Sequence, residues 1–381
     1  MRLLHTSDWH FGKRLHETDL LSDQEKFCDW LVSVVREERI DCLLLAGDLY
    51  DRSNPKEEVV ELLDDVLHRI SDGGTQIVAI SGNHDSAERL HFGSRFMTKG
   101  GLHIRAERRN LQDVGTPVTI HDRDNFEAQV LPMPYLDPQR VDAGILDRRD
   151  HESVLRAAIE GQRPHLTDPR RTVVVAHAFV NGGTSSDSER ALTVGGTGAV
   201  SKSIFEGFAY VALGHLHRPQ ILDGERLAYS GSPLPYSFSE EHSKSIRVVE
   251  LAASGLSCSS IEVPVGRPVK TLTDTLEQLL HSRHYDRHRN SFVRAILTDA
   301  TPQLGAMDRL RDRFPFALEL EQQVFAKQSM LDVDRLEELR GRSDEAVIQE
   351  YVKEVFPTEL DKHATRFVND TVRAVLTGDQ A

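Results

Sequence analysis

The 381 residues are 39% hydrophobic with a formal net charge of −14, which excludes a chain disordered throughout and allows two or three globular domains. That acidity also argues against a polyanion partner held by overall charge, although carboxylates gathered around cations are neutralised and local basic patches outweigh the total. Cys28, Cys42 and Cys258 are too few and too scattered for a disulfide framework or a thiolate zinc site, and fit a reducing compartment.

The first apolar run, RLLHT, reads as a buried strand starting near Leu3, which leaves no room for a cleavable leader. No run approaches the length of a membrane span, so the expectation is a cytoplasmic protein without a membrane partner. The run leads into SDWHFG, where Asp8 and His10 stand two apart. Residues i and i+2 of an extended segment point the same way, so a carboxylate and an imidazole can grip one cation. Alone, such a pair marks a turn just as well. A basic cluster, Lys13, Arg14 and His16, follows directly.

Next comes a helical pattern, DQEKFCDWLVSVVREER, with Phe27, Leu31 and Val34 or Val35 on one face. DCLLLAGD is a strand leading to Asp48, and Pro55 opens a second helix over KEEVVELLDDVLHRI. QIVAISGNHD is a third strand, ending at Asn83 and His84. The β-α-β-α-β order predicts an α/β layered core whose ligands collect beyond the carboxyl ends of the strands. From Asp122 to Arg171 the rhythm is lost in charged, Pro-interrupted sequence, read as continuation of the same domain. TVVVAHA then leads to His177, and YVALGHLH leads to His215 and His217. Between them, residues 181–200 are rich in Gly, Ser and Thr without Walker or dinucleotide spacing, and read as a mobile loop beside the site.

Pro264 and Pro268 mark a boundary after residue 266. Beyond it TLTDTLEQLLH reads as a helix, SFVRAILTD as a strand, MDRLRDRF as a helix and FALELEQQ as a strand, a small α+β unit over 267–340. HSRHYDRHRN, residues 281–290, is a solvated loop or a phosphate contact. EAVIQEYVKEVF and ATRFVNDTVRAVL, split by Pro357, predict two amphipathic helices in a third region, 341–381.

Asp8, His10, Asp48, Asn83, His177, His215 and His217 thus all stand at the ends of buried strands. Seven N and O ligands suit two adjacent divalent cations sharing one carboxylate. With no cysteine among them, the set favours two Mn2+ ions, with Fe2+ next and Mg2+ less comfortable beside imidazoles. Asp85, next to His84, is a natural partner to orient an imidazole.

SDWHFG, GDLYDR, SGNHD, AHAF and GHLH resemble the five motifs of the calcineurin-like metallophosphoesterases. The longer strings HTSDWHFGKRL, YVALGHLHRPQ and AYSGSPLPYSFSE resemble the SbcD-type nuclease subunits of the double-strand-break repair branch. The strong matches cover about residues 1–240; beyond Arg267 the likeness is one of layout.

The resemblance implies a metallophosphoesterase β-sandwich flanked by helices, then a capping, DNA-binding domain and C-terminal helices. One metal would be held by Asp8, His10, Asp48 and His217, the other by Asp48, Asn83, His177 and His215. His84 would contact the scissile phosphate and help protonate the leaving oxygen. Asp51 stands where archaeal relatives carry a histidine, so it either orients His84 or only stabilises its loop. The implied activity is two-metal hydrolysis of DNA: single-strand endonuclease, double-strand 3′ to 5′ exonuclease, and processing of hairpins and DNA ends. The implied partners are DNA, a second copy of the chain, and an ABC-type coiled-coil ATPase of the SbcC type. The homodimer surface would include KEEVVELLDDVLHRI and SAERLHFGSRF, with Val59, Leu63 and Val66 either exposed there or packed in the core. The ATPase would dock on the terminal helices, because the chain has no Walker P-loop of its own. A phosphoesterase for small nucleotides or phosphoproteins, and a scaffold that has lost its metals, are the alternatives. The second should show broken motifs, and none is broken here.

Overall fold

The computed structural model describes residues 1–326, except 107–109, 112–113, 143–145, 147 and 191–197, together with Arg366, Asp370 and Thr371. It divides into two compact units, Met1–Val269 and Lys270–Ala381.

In the first unit the unalternated apolar runs become central strands, because a strand covered on both faces needs apolar side chains at consecutive positions. β1 (Arg2–Thr6), β2 (Cys42–Leu45), β3 (Gln76–Ile80) and β4 (Leu102–Arg105) pair in parallel, in that order. A second sheet follows from β5 (Val118–His121), β6 (Glu127–Met133), β7 (Thr172–His177), β8 (Tyr210–Gly214), β9 (Gln220–Asp223) and β10 (Leu227–Tyr229). The hairpin β11 (Ser245–Ala252) and β12 (Gly255–Glu262) returns to lie antiparallel beside β1. The two six-stranded sheets have the orders β12-β11-β1-β2-β3-β4 and β9-β10-β8-β7-β6-β5.

Side chains alternate across each strand, so neighbours in sequence serve different layers. Leu3, Leu44, Val78 and Ile80 face Val130, Val173, Val175 and Ala212 of the other sheet. Leu4, Leu43 and Leu45 face the helices α1 (Leu21–Glu37) and α2 (Glu57–Ser71), whose Phe27, Leu31, Leu63 and Val66 cover them. The far face of the second sheet packs under α3 (His151–Gln162) through Val154, Leu155 and Ile159. The result is a helix–sheet–sheet–helix sandwich.

The charged stretch that reads as patternless holds two of these elements, β6 and α3. Pro132 disguises β6, but it lies past Val130, the last residue paired with β5, so its missing N–H breaks no ladder on that side. α3 is announced only by its cap, the Asp150 carboxylate accepting from the Ser153 N–H at 2.8 Å.

The second unit contains β13 (Val269–Asp274), α4 (Leu276–His281), β14 (Phe292–Leu297), α5 (Ala306–Arg313) and β15 (Ala317–Gln322), with sheet order β13-β14-β15. Leu272, Leu276, Leu279, Val293, Leu310 and Phe314 form its core. The helix expected over residues 271–281 is shorter than its pattern. The β-branched residues around Val269 to Thr273 stay extended, and Thr275 caps the helix by accepting from the Gln278 N–H at 3.3 Å. Within 281–290 the chain forms a turn of 3-10 helix, Arg283–His288, with Asp286 bridged to Arg289 at 2.8 Å and Arg313 at 3.0 Å. The terminal helical patterns at 345–356 and 364–376 lie outside the described residues, apart from Arg366, Asp370 and Thr371. No helix among the described residues is long and apolar enough to cross a membrane.

Candidate metal centre

Each candidate ligand lies at or just beyond the carboxyl end of a parallel strand. Asp8 and His10 follow β1, Asp48 follows β2 and Asn83 follows β3, while His177 ends β7 and His215 and His217 follow β8. Backbone bonds lock the loops of the first sheet together, from the Asp8 N–H to the Gly47 carbonyl at 3.0 Å and from the His10 N–H to the Asp48 carbonyl at 3.0 Å. Others cross to the second sheet. The His215 N–H reaches both Asp8 oxygens at 3.0 and 3.1 Å, and His177 Nδ1 lies 2.9 Å from the Ala46 carbonyl. All seven residues therefore converge, and all but the half-buried Asn83 are buried.

The convergence is held by strained backbone. Asp8, His10, Asp48 and His215 have φ of 53°, 43°, 51° and 105°, in a region that side chains avoid. Such strain costs about 1–3 kcal/mol per residue and gathers at functional sites. Glycines make the close approach possible: a Cβ on Gly214 would stand 1.8 Å from the Ala46 carbonyl oxygen, and one on Gly82 would stand 2.1 Å from Asp48 Oδ1.

The donor set has more lone pairs than protons. Burial lowers the pKa of His10, His177 and His215, so these imidazoles are neutral. His177 spends its proton at Nδ1 on the Ala46 carbonyl, which leaves Nε2 bare 3.5 Å from Asp48 Oδ2. His10 Nε2 lies 3.1 Å from His217 Nε2, while buried His10 Nδ1 has no hydrogen-bond partner among the described residues. Burial and the neighbouring Asp85 and Asp8 charges raise Asp48 well above the ordinary carboxylate range. Bare nitrogens and crowded carboxylates facing one another are what bound cations resolve. Three triads have ligand atoms within 4.8 Å of one another: Asp8, His10 and His217; Asp8, Asp48 and His177; and His10, Asp48 and His84. Asn83 Oδ1 joins them, 2.9 Å from His177 Nε2 and 3.1 Å from His215 Nδ1. The cluster is a candidate dinuclear metal site.

His84 stands beside it, its ring 4.6 Å from that of His10 and nearly perpendicular. Its Nδ1 is 2.8 Å from the backbone carbonyl of Asp51, which fixes the ring and leaves Nε2 free for chemistry. Burial lowers its pKa to about 4. The Asp51 carboxylate is turned elsewhere: it pairs with Lys13 at 2.8 Å and lies 4.0 Å from His84 Nδ1. Asp51 thus orients His84 through its backbone. Asp85 holds loops rather than a ring, because its carboxylate accepts from the N–H groups of Leu49, Tyr50 and Gly82 at 3.2, 3.0 and 2.9 Å.

Sequence reasoning missed a group of residues behind His217. Ser188 and Glu189 belong to the Gly- and Ser-rich stretch expected to be mobile, whose residues 191–197 lie outside the described part. The described part is pinned: Ser188 Oγ is 2.6 Å from His217 Nδ1, and Glu189 accepts the His217 N–H at 2.7 Å. Glu240 and Lys244 complete the group and are both buried. Burial disfavours the Glu240 carboxylate, but His217 and the Lys244 charge outweigh it and hold its pKa well below the ordinary range. A Glu four residues before a Lys is a common surface pair, so no sequence signal marked it.

Residues 1–219, more than half of the chain, match the family model described as calcineurin-like phosphoesterase. The chain belongs to that family. Residues 265–356 match a second model, described as a type 5 capsule protein repressor C-terminal domain. Among curated relatives, the SbcD subunit of the SbcCD nuclease from Staphylococcus saprophyticus is 28% identical over 99% of both chains. Its counterpart of the same name from Staphylococcus epidermidis is 29% identical over 99% of this chain and 98% of its own. A dimetal phosphatase from Danio rerio aligns over 69% of this chain and 99% of its own, with 13% identity and a TM-score of 0.43, a likeness too loose to carry an argument.

Proposed function

We propose that this metallophosphoesterase is the DNA nuclease subunit of an SbcCD-type complex. The metal cluster alone fits phosphate ester hydrolysis in general. What separates a nuclease from a small phosphatase is the likeness to nuclease subunits over 99% of the chain, the second unit included. The proposed ligands are Asp8, His10, Asp48 and His217 for one ion and Asp48, Asn83, His177 and His215 for the other, with Mn2+ at both. When bound, the pair neutralises a phosphodiester and acidifies a water to near-neutral pKa. The chain's own residues supply the rest. Asp48 Oδ1 accepts the His84 N–H at 2.8 Å, tying a ligand loop to the His84 loop. His84, held at Nδ1 by Asp51, offers Nε2 to the phosphate and to the leaving oxygen, where a proton is needed as the bond breaks. In this reading His84 acts on substrate, while Asp51 and Asp85 are positioning residues.

The same reading assigns residues 267–340 to capping and DNA contact and 341–381 to docking of a coiled-coil ATPase, since the relatives are subunits of a named complex. It also makes the protein a homodimer. The apolar stripe Val59, Leu63 and Val66 of α2 is buried against its own sheet, so the pairing surface has to be sought elsewhere. Phe92 is 83% exposed and Phe96 80%, with Met97 and Val60 partly so, and these apolar groups suit a second copy.

The test is incubation of the full chain with a labelled DNA hairpin and, separately, a nucleotide monoester, under Mn2+, Mg2+ and chelator. Manganese-dependent hairpin cleavage is expected, with the chelator abolishing it. Turnover of the monoester alone would assign the protein to the small-phosphatase class.

A further inference from the structure

We propose that Ser188, Glu240 and Lys244 form a positioning relay that fixes His217 and makes the ion site of Asp8, His10 and His217 the tighter of the two. The inference rests on the metal-centre reading above.

The contacts of the relay fix the direction of each of its hydrogen bonds. Lys244 Nζ donates to Glu240 Oε2 at 2.5 Å, to Ser232 Oγ at 2.9 Å and to the His217 carbonyl at 3.0 Å, which uses all three of its protons. Glu240 Oε1 accepts from the Ser188 hydroxyl at 2.5 Å. Having given its proton to Glu240, Ser188 Oγ can only accept from His217 Nδ1, 2.6 Å away. His217 therefore carries a proton on Nδ1, which leaves Nε2, 3.1 Å from His10 Nε2, as the ring atom it can offer to an ion. Its backbone is clamped as well, the N–H by Glu189 at 2.7 Å and the carbonyl by Lys244. Ring, N–H and carbonyl of one residue are all fixed, by half-buried Ser188 and Glu189 and by buried Lys244.

His177 of the second site has weaker backing than His217. His177 gives its Nδ1 proton to a neutral backbone carbonyl, whereas His217 leans through a hydroxyl on a carboxylate. An imidazole backed by an anion is the more basic ligand, and such outer partners are worth about 10- to 100-fold in metal affinity. A purely structural role is a poor account of Glu240 and Lys244, because a buried ion pair does little better than apolar residues of the same size.

The test is Mn2+ titration of the metal-free full chain, read by calorimetry and by the electron paramagnetic resonance of free Mn2+, alongside thermal melting. Two classes of site are expected, with His217→Ala marking the class to which His217 belongs. Ser188→Ala and Glu240→Gln should weaken the tighter class by about 10- to 100-fold, leave the other nearly unchanged, and Ser188→Thr should restore it. Because Glu240→Gln strands a buried lysine, Glu240→Gln/Lys244→Met provides a variant with neither charge. Its melting temperature should recover while the tighter class stays weak. Recovery of affinity together with stability would reduce the relay to a structural role and overturn it, as would unchanged affinities in Ser188→Ala. A parent chain that binds no pair of Mn2+ ions overturns the metal-centre reading and the relay with it. Two intact classes with unaffected variants overturn the relay alone.

Discussion

His84 and His5 are both buried imidazoles, and their surroundings give them different work. His84 touches the site through one ring atom and is tied to Asp51 by the other. His84→Asn keeps a donor toward the Asp51 carbonyl and is expected to retain both metals while hydrolysis slows by about 100-fold or more. Metal content and single-turnover rates check this, and loss of metal with the imidazole would make His84 a ligand. His5 lies between the sheets, its Nδ1 2.9 Å from the Tyr210 hydroxyl and its Nε2 3.1 Å from the Leu213 carbonyl. Burial, helped by the charge of Arg247, lowers its pKa from 6.5 to about 3. The unfolded chain therefore binds a proton below pH 6.5 that the folded chain refuses, so stability falls as pH drops from about 6.5 toward 3, by at most about 5 kcal/mol. In metal-free protein at pH 5, His5→Gln should unfold with about one proton less taken up than the parent. Equal uptake would show that His5 is protonated in the folded state. His5 sits inside the strand RLLHT, and an isolated histidine there announces neither its burial nor its partners. The candidate ligands are legible because each interrupts an apolar run at its end. Ser188 and Glu240 are not, because a Ser-rich loop and a charged SEEHSK stretch resemble ordinary surface until the fold brings them behind His217.

Strands and helices repeat this contrast. The runs behind β1, β2, β3, β7 and β8 carry apolar residues at consecutive positions, and their sandwich burial follows directly. β6 escapes because Pro132 and its charged flanks break the run, and α4 is over-read because Leu-rich spacing continues back into Thr-rich sequence that pairs as β13. The fate of α2 could not be read at all. Its Val59, Leu63 and Val66 stripe serves a sheet and a partner equally well on paper, and the structure spends it on the sheet. The short helices Ala87–His91 and Ser94–Met97 carry the exposed apolar groups instead. Phe92→Ser/Phe96→Ser should shift the protein from dimer to monomer in sedimentation velocity while its melting temperature stays close to the parent's. A parent that is already monomeric at micromolar concentration would remove the case for pairing on this surface.

Across the whole molecule, two kinds of sequence carry two kinds of task. Deleting residues 341–381 should leave manganese-dependent cleavage of single strands intact and abolish co-purification with the coiled-coil ATPase. Capture of the ATPase at parental affinity would place its docking element elsewhere. The candidate metal centre also straddles the sandwich, because Asp8, Asp48 and Asn83 come from one sheet and His177, His215 and His217 from the other. Any ion they share spans the seam between the sheets. An ion present at 100 times its Kd stabilises the folded state by about 2.7 kcal/mol per site. Adding Mn2+ to chelator-treated protein should therefore raise Tm and slow amide hydrogen exchange in β1, β2, β7 and β8 together. Slowing confined to one sheet would mean that the ion closes no seam. With the seam open more of the time, proteases find unfolded chain more often, and a shift of about 1–2 kcal/mol changes protein abundance several-fold. The expected consequence is that the amount of this protein, and not its turnover alone, falls when the metal is withheld.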